Sequence, residues 1–290
     1  MQNSSLLISE GDCVPGVPDD PEAEFEICNF YIKVIKSIFE LYHPALEDIR
    51  NSLSNIRSYK NPEVEVHDTV SFDEEIDRFA YIYAYSFIHS VVMFDRFSNM
   101  LKSNPTMLNK IVSMTKLRMC LLGGGAGFEV VSICKVLSIL RRQSGLTCRP
   151  LLVNITIIDV CNEWEKDAGL IISSAQREIC SSSNMEIDFQ FIAADLTADF
   201  GKDVKSALKK SHIVTMCKFL TDVNDSSYSK SEIHQMIEVS IFFYLPLYVL
   251  FLLFTLFILC TRCKTTVMNE VLHERFYTKI LLSIYSNFVV

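Results

Sequence analysis

Three short stretches carry residue types that could hold a nucleoside-bearing cofactor. The first, Leu117 to Glu129, reads LRMCLLGGGAGFE, where an apolar run stops at Gly123, Gly124, Gly125 and Gly127. Without side chains there, the backbone can approach a ligand closely. Gly123, Gly125 and Gly127 satisfy GxGxG. The dinucleotide fingerprint would need glycine where Phe128 stands, and a phosphate-binding loop would need lysine where Phe128 and Glu129 follow, so both rivals weaken. The second stretch, LLVNITIID, ends in Asp159, whose carboxylate could accept both hydrogen bonds of a ribose diol or could instead cap the following helix. The third, IDFQFIAAD, ends in Asp195 followed by Leu196, an acid and an apolar side chain placed to meet the amino group and ring of an adenine. Open α/β sheets bind ligands along the carboxyl ends of their strands, so three such elements in this order weigh more together than singly.

The surrounding pattern supplies that sheet. Strands are predicted over 117–122, 151–158, 187–193 and 212–217, and helices over 128–142 and 163–180 and near 201–209 and 228–239. Such alternation argues for crossover connections and a parallel sheet. Ahead of it, residues 25–112 read as a helical region. Two helices break at Pro44, since proline removes a helical donor and restricts the residue before it. A longer helix runs from about Phe72 to Leu101, with Asp73, Glu74 and Glu75 at its start, where the helix dipole favours negative charge. Tyr81, Tyr83 and Tyr85 cannot all share one face of it. Its rings suit a helical cap packed on the next domain, or an aromatic wall over a substrate pocket.

Composition limits the partners. In 290 residues, 49% of them hydrophobic, there is enough apolar material for a substantial core. The formal charge of -8 is concentrated at the front, where residues 1–100 carry 7 Lys or Arg against 18 Asp or Glu. An acidic front repels a phosphate backbone, and no basic patch signals nucleic acid. Residues 1–24, with Pro15, Pro18 and Pro21, read as a flexible acidic arm with no secretory signal. Ten scattered cysteines, several inside apolar elements, suit a reducing compartment. Cys260 and Cys263 have metal-ligand spacing without a second pair; chance, a metal site and S-acylation remain open for them.

Taken in order, LLGGGAG, ITIIDVCNEW, FIAADL and HIVTMCKFLTDV resemble the successive cofactor motifs of class I S-adenosylmethionine-dependent methyltransferases, over about residues 115–222. The resemblance implies an α/β fold with a Rossmann-like parallel sheet over 113–238, behind an N-terminal helical cap. It implies S-adenosylmethionine as cofactor. Gly123, Gly125 and Gly127 would meet its methionyl part, Asp159 the ribose, and Asp195 with Leu196 the adenine. The Met216, Cys217, Lys218 edge would face the methyl group. The methyl acceptor and any catalytic residue stay unassigned. Two departures stand out: Leu121 and Leu122 occupy places where the family often carries an acid, and the three strands that complete the family's sheet are not recognisable, which makes the domain incomplete.

Other candidates are weaker. His89 and His212 read as structural, Trp164 could lie beside the adenine or in the core, and no metal-ligand cluster follows from spacing. Residues 239–261 form an uncharged, Phe- and Leu-rich run long enough to cross a bilayer as a C-terminal hydrophobic helix, with a tail over 262–290. Read that way, the chain is membrane-anchored with its main domain cytosolic. If the tail instead comes from a retained intron or mis-joined exon, the domain is cytoplasmic. Two function classes are therefore expected: an enzyme of methyl transfer, or a non-catalytic membrane-anchored protein with a truncated methyltransferase-like domain.

Overall fold

The computed structural model describes residues 21–59, 72–196 and 200–216. The first helix, α1, spans Pro21–Tyr42, starting ahead of the expected onset of order near Phe25. Proline suits a first helical position because its missing N–H has no partner there, and Glu22 and Glu24 favour the positive end of the dipole. α2 follows over Leu46–Tyr59, and the break falls at Pro44 as predicted, with His43 in the left-handed region at φ 48°.

The long aromatic helix, α3, spans Glu75–Ser103. It is followed by a short helix, α4, Pro105–Ser113, which lies past the predicted end of the long helix near Leu101. Its start is set locally: the Asn104 side chain accepts the Met107 N–H at 3.1 Å and Pro105 takes the first helical position.

Four parallel strands follow: β1 (Lys116–Leu122), β2 (Leu151–Asp159), β3 (Met185–Ala193) and β4 (Ile213–Thr215), in the order β3-β2-β1-β4. This is an α/β fold, and the order is that of the first four strands of a Rossmann-like sheet. Helices α5 (Phe128–Gln143), α6 (Trp164–Ala175) and α7 (Lys202–Lys210) connect them. The sheet side chains alternate as period two requires. Leu117, Met119 and Leu121 enter the large core with α1, α3, α5 and α6, whereas Cys120 and Leu122 join Leu196, Phe200, Val204, Leu208 and Met216 in a smaller core around α7.

The predicted helix over 163–180 is two pieces, α6 and a π-helical turn over Gln176–Cys180, and a 3-10 turn over Ser181–Ser183 follows. The interruption puts Gln176 beside the outer edge of β3. Its amide nitrogen donates to the Met185 carbonyl at 3.0 Å, and its oxygen accepts the Ile187 N–H at 2.7 Å. One side chain thus satisfies backbone groups that an edge strand leaves open.

The helical front is fastened to the sheet domain by buried polar contacts. Ser90 of α3 donates to the Phe128 carbonyl at 3.1 Å, and Ser132 of α5 donates to the Ser90 carbonyl at 2.7 Å. Tyr31 of α1 reaches Ser90 Oγ at 2.7 Å. Arg78 of α3 pairs with Asp167 of α6 at 2.7 Å, and the Tyr42 hydroxyl donates to the second Asp167 oxygen at 2.7 Å. Of the three α3 tyrosines, Tyr81 and Tyr85 share a face with His89, whereas Tyr83 stacks on Phe79.

Among the described residues no helix is long and apolar enough to cross a membrane. The expected span over 239–261, the tail after it and the predicted helix near 228–239 lie outside the described residues.

Candidate functional site

β1 is buried to its end, and the chain then turns over Gly123–Gly127 into α5. The turn is pinned to the neighbouring strand, with the Gly123 N–H donating to the Ile158 carbonyl at 2.8 Å, and it closes on itself through Gly127 N–H to the Gly124 carbonyl at 2.7 Å. Glycine is needed here for two separate reasons. Gly123, Gly125 and Gly127 have φ of 61°, 45° and 75°, the left-handed region that side-chain-bearing residues avoid. Gly124 is a packing requirement: a β-carbon on it would lie 2.8 Å from Leu121 Cβ and 3.0 Å from Ile157 Cγ2. The GxGxG spacing misses that position because Gly124 is one of its variable places.

Asp159, at the end of β2, touches this turn. Its Oδ2 accepts the Gly125 N–H at 2.9 Å, and its Oδ1 accepts the Cys161 N–H at 3.1 Å. The alternative role as a helix cap is not what the carboxylate does, because α6 begins later, at Trp164, with Glu163 at the capping position. The two backbone N–H groups thus fix the orientation of the carboxylate at the end of β2.

The third element comes alongside through the backbone: Ala194, just past β3, donates its N–H to the Asp159 carbonyl at 2.9 Å. Asp195 is exposed next to it. Leu196, by contrast, is 3% exposed and belongs to the α7 core with Cys120, Leu122 and Met216. The structure therefore brings Gly123, Gly125, Gly127, Asp159 and Asp195 to one edge and turns Leu196 and Met216 inward. Cys217 and Lys218 lie outside the described residues.

Trp164 is 4% exposed, so of its two expected positions the packed one is observed: its indole lies against the glycine turn. His212 is structural. Its N–H donates to the Arg118 carbonyl at 2.8 Å and its Nδ1 accepts the Arg118 N–H at 3.1 Å, which clamps β4 to β1. Burial, with Arg118 and Lys110 nearby, holds its imidazole below the ordinary histidine value. His89 stacks on Tyr85 beside Phe128.

The sequence reading missed a cluster next to this edge. Cys161 Sγ lies 3.3 Å from the Phe72 carbonyl and 3.5 Å from a Glu163 carboxylate oxygen, with Asp73 also close. Burial, followed by the Glu163 carboxylate, pushes the thiol up to about 11. At neutral pH it is a protonated donor satisfied by the Phe72 carbonyl, tying the lead-in to α3 to the loop after Asp159. Only tertiary structure brings residues 72 and 161 together, so no local spacing could have marked them. Cys120, Cys134 and Cys180 are buried as small apolar groups.

No protein-family model matches the chain and no curated protein matches it, so what is established is the α/β fold, with a parallel sheet compatible with a Rossmann-like domain.

Proposed function

We propose that this chain binds S-adenosylmethionine across the carboxyl ends of β1 and β2 and serves methyl transfer to an acceptor. The observation that carries the reading is Asp159, a carboxylate at the end of β2 that the Gly125 and Cys161 N–H groups orient beside the glycine turn. A carboxylate placed there would accept from the hydroxyls of a ribose diol. The glycine turn would admit the methionyl end, and the exposed Asp195 would meet the adenine amino group. When bound, the cofactor supplies a methyl group on a sulfonium. The chain's own residues bind and orient, and the rate would come chiefly from that positioning. The acidic front disfavours a nucleic-acid acceptor.

Titrating the full chain with S-adenosylhomocysteine by calorimetry should give saturable binding that Asp159→Ala weakens by roughly 1.5–3 kcal/mol, the scale of a hydrogen bond to a charged group. A folded wild-type chain silent at millimolar ligand sinks the reading.

A second reading is a non-catalytic membrane-anchored protein, for which the uncharged run over 239–261 is the supporting feature. The two readings separate on labelled methyl transfer into cell extract. The proposed anchor, residues 239–261, should hold the chain in the carbonate-washed membrane pellet, and release to the supernatant removes it.

A further inference from the structure

The residue that fixes the glycine turn from the helical side is Trp164. Its indole lies over Gly125, where a β-carbon would meet Cε2 at 3.7 Å and Cδ2 at 3.8 Å, with Asp159 Oδ2 at 3.8 Å on another side. Gly125 is the residue whose N–H reaches Asp159, and it does so from φ 45°. The indole is itself held by rings from the helical front. Phe72 lies 5.3 Å away and Tyr81 5.7 Å away edge to face, the two being 5.2 Å from each other. Tyr81 also stacks on Phe128, the first residue after the turn, at 6.0 Å and 14°. A single aromatic cluster thus faces the turn at Gly125, about one methyl group away, and stacks on its exit into α5 at Phe128. Aromatic contacts of this kind are directional, so they fix position as well as burying area.

We propose that Trp164 is a positioning residue for cofactor binding: clamped by Phe72 and Tyr81, it holds Gly125 against Asp159 and couples the turn to the helical front. The proposal rests on the reading of this turn as the cofactor site, and its test separates the two. Trp164 is the only tryptophan in the chain, so its emission reports on the turn directly.

With the full chain in mild detergent and S-adenosylhomocysteine as probe, Trp164→Leu should weaken binding about tenfold or more, while Trp164→Phe, which restores a ring, stays within about threefold of wild type. Tyr81→Ala, which leaves the indole in place but removes its clamp, should also weaken binding about tenfold. A purely structural role would lower the melting temperature and leave the Kd of the folded protein unchanged; that outcome in both Trp164→Leu and Tyr81→Ala overturns the proposal. If Trp164→Leu does not fold, Tyr81→Ala decides. If the wild type binds no cofactor, the functional reading fails, and positioning is judged on Gly125→Ala alone. That variant should shift the Trp164 emission maximum and its quenching by acrylamide, and an emission identical to wild type overturns the coupling.

Discussion

Asp167→Ala is expected to destabilise the chain by about 3–5 kcal/mol, the cost of leaving a buried charge without its partner. The pair it breaks is enclosed, with the Arg78 side chain 3% exposed and the Asp167 side chain 0%. Arg78 Nη1 donates to the Phe72 and Asp73 carbonyls at 2.8 and 2.7 Å, so its orientation is fixed from two directions. Burial pushes the Asp167 carboxyl up, an effect that the Tyr42 and Arg78 donors oppose. Without the carboxylate, a guanidinium and a phenol lose their acceptor together. Asp167→Asn keeps the shape and one acceptor and should cost less than Asp167→Ala. The double variant Arg78→Met, Asp167→Leu removes both charges and should regain most of the loss, because apolar replacement of a buried pair is often neutral. Urea unfolding of the three variants checks the ranking, and a double variant less stable than Asp167→Ala would contradict it.

That pair shows what the sequence could and could not reveal. Arg78 stands behind Asp73, Glu74 and Glu75, and Asp167 follows Glu165, so both sit in first turns whose acids are already accounted for by the helix dipole. Nothing local distinguishes an acid that serves the dipole from one that pairs with a residue 89 positions earlier. The strands were legible within a residue or two because their apolar runs end at sharp signals, such as Gly123 after β1 and Asp159 at the end of β2. The π-helical turn was not, since Gln176–Cys180 continues the helical texture of α6 and differs only in its backbone bonding. α4 had a readable start in Asn104-Pro105, but its nine residues are too few for periodicity to mark it. That Asp159 and the glycine turn lie side by side was legible from the strand ends, because that rule needs only order along the chain. The inward turn of Leu196 depends on α7, whose packing no motif encodes.

The largest effect is expected from removing residues 1–105: the fragment 106–240 should aggregate and bind hydrophobic dyes instead of melting cooperatively. The reason is α5. A crossover helix on an open sheet usually keeps one face for solvent, and its sequence is then amphipathic. In α5 every residue from Phe128 to Arg141 is buried, because α1 and α3 cover the face turned away from the sheet. Truncation would uncover Phe128 and Trp164, which pack on Tyr31, Phe72 and Tyr81, together with the stem of Lys135, apolar surface of the kind soluble monomers avoid. It would also strip Lys135 of its ion pair with Glu26, Ser132 of its acceptor at Ser90, and Asp167 of both donors. Each large apolar side chain returned to water costs about 1.5–3 kcal/mol, so a handful exceeds the whole stability of an ordinary domain, about 5–15 kcal/mol. The aromatic clamp on Gly125 would go with the same cut, since Phe72 and Tyr81 lie in the deleted part. Size-exclusion chromatography and thermal melting of the fragment decide the matter. A soluble fragment with a single sharp transition would mean that the helical front is an appendage to the sheet domain, not the other half of its core.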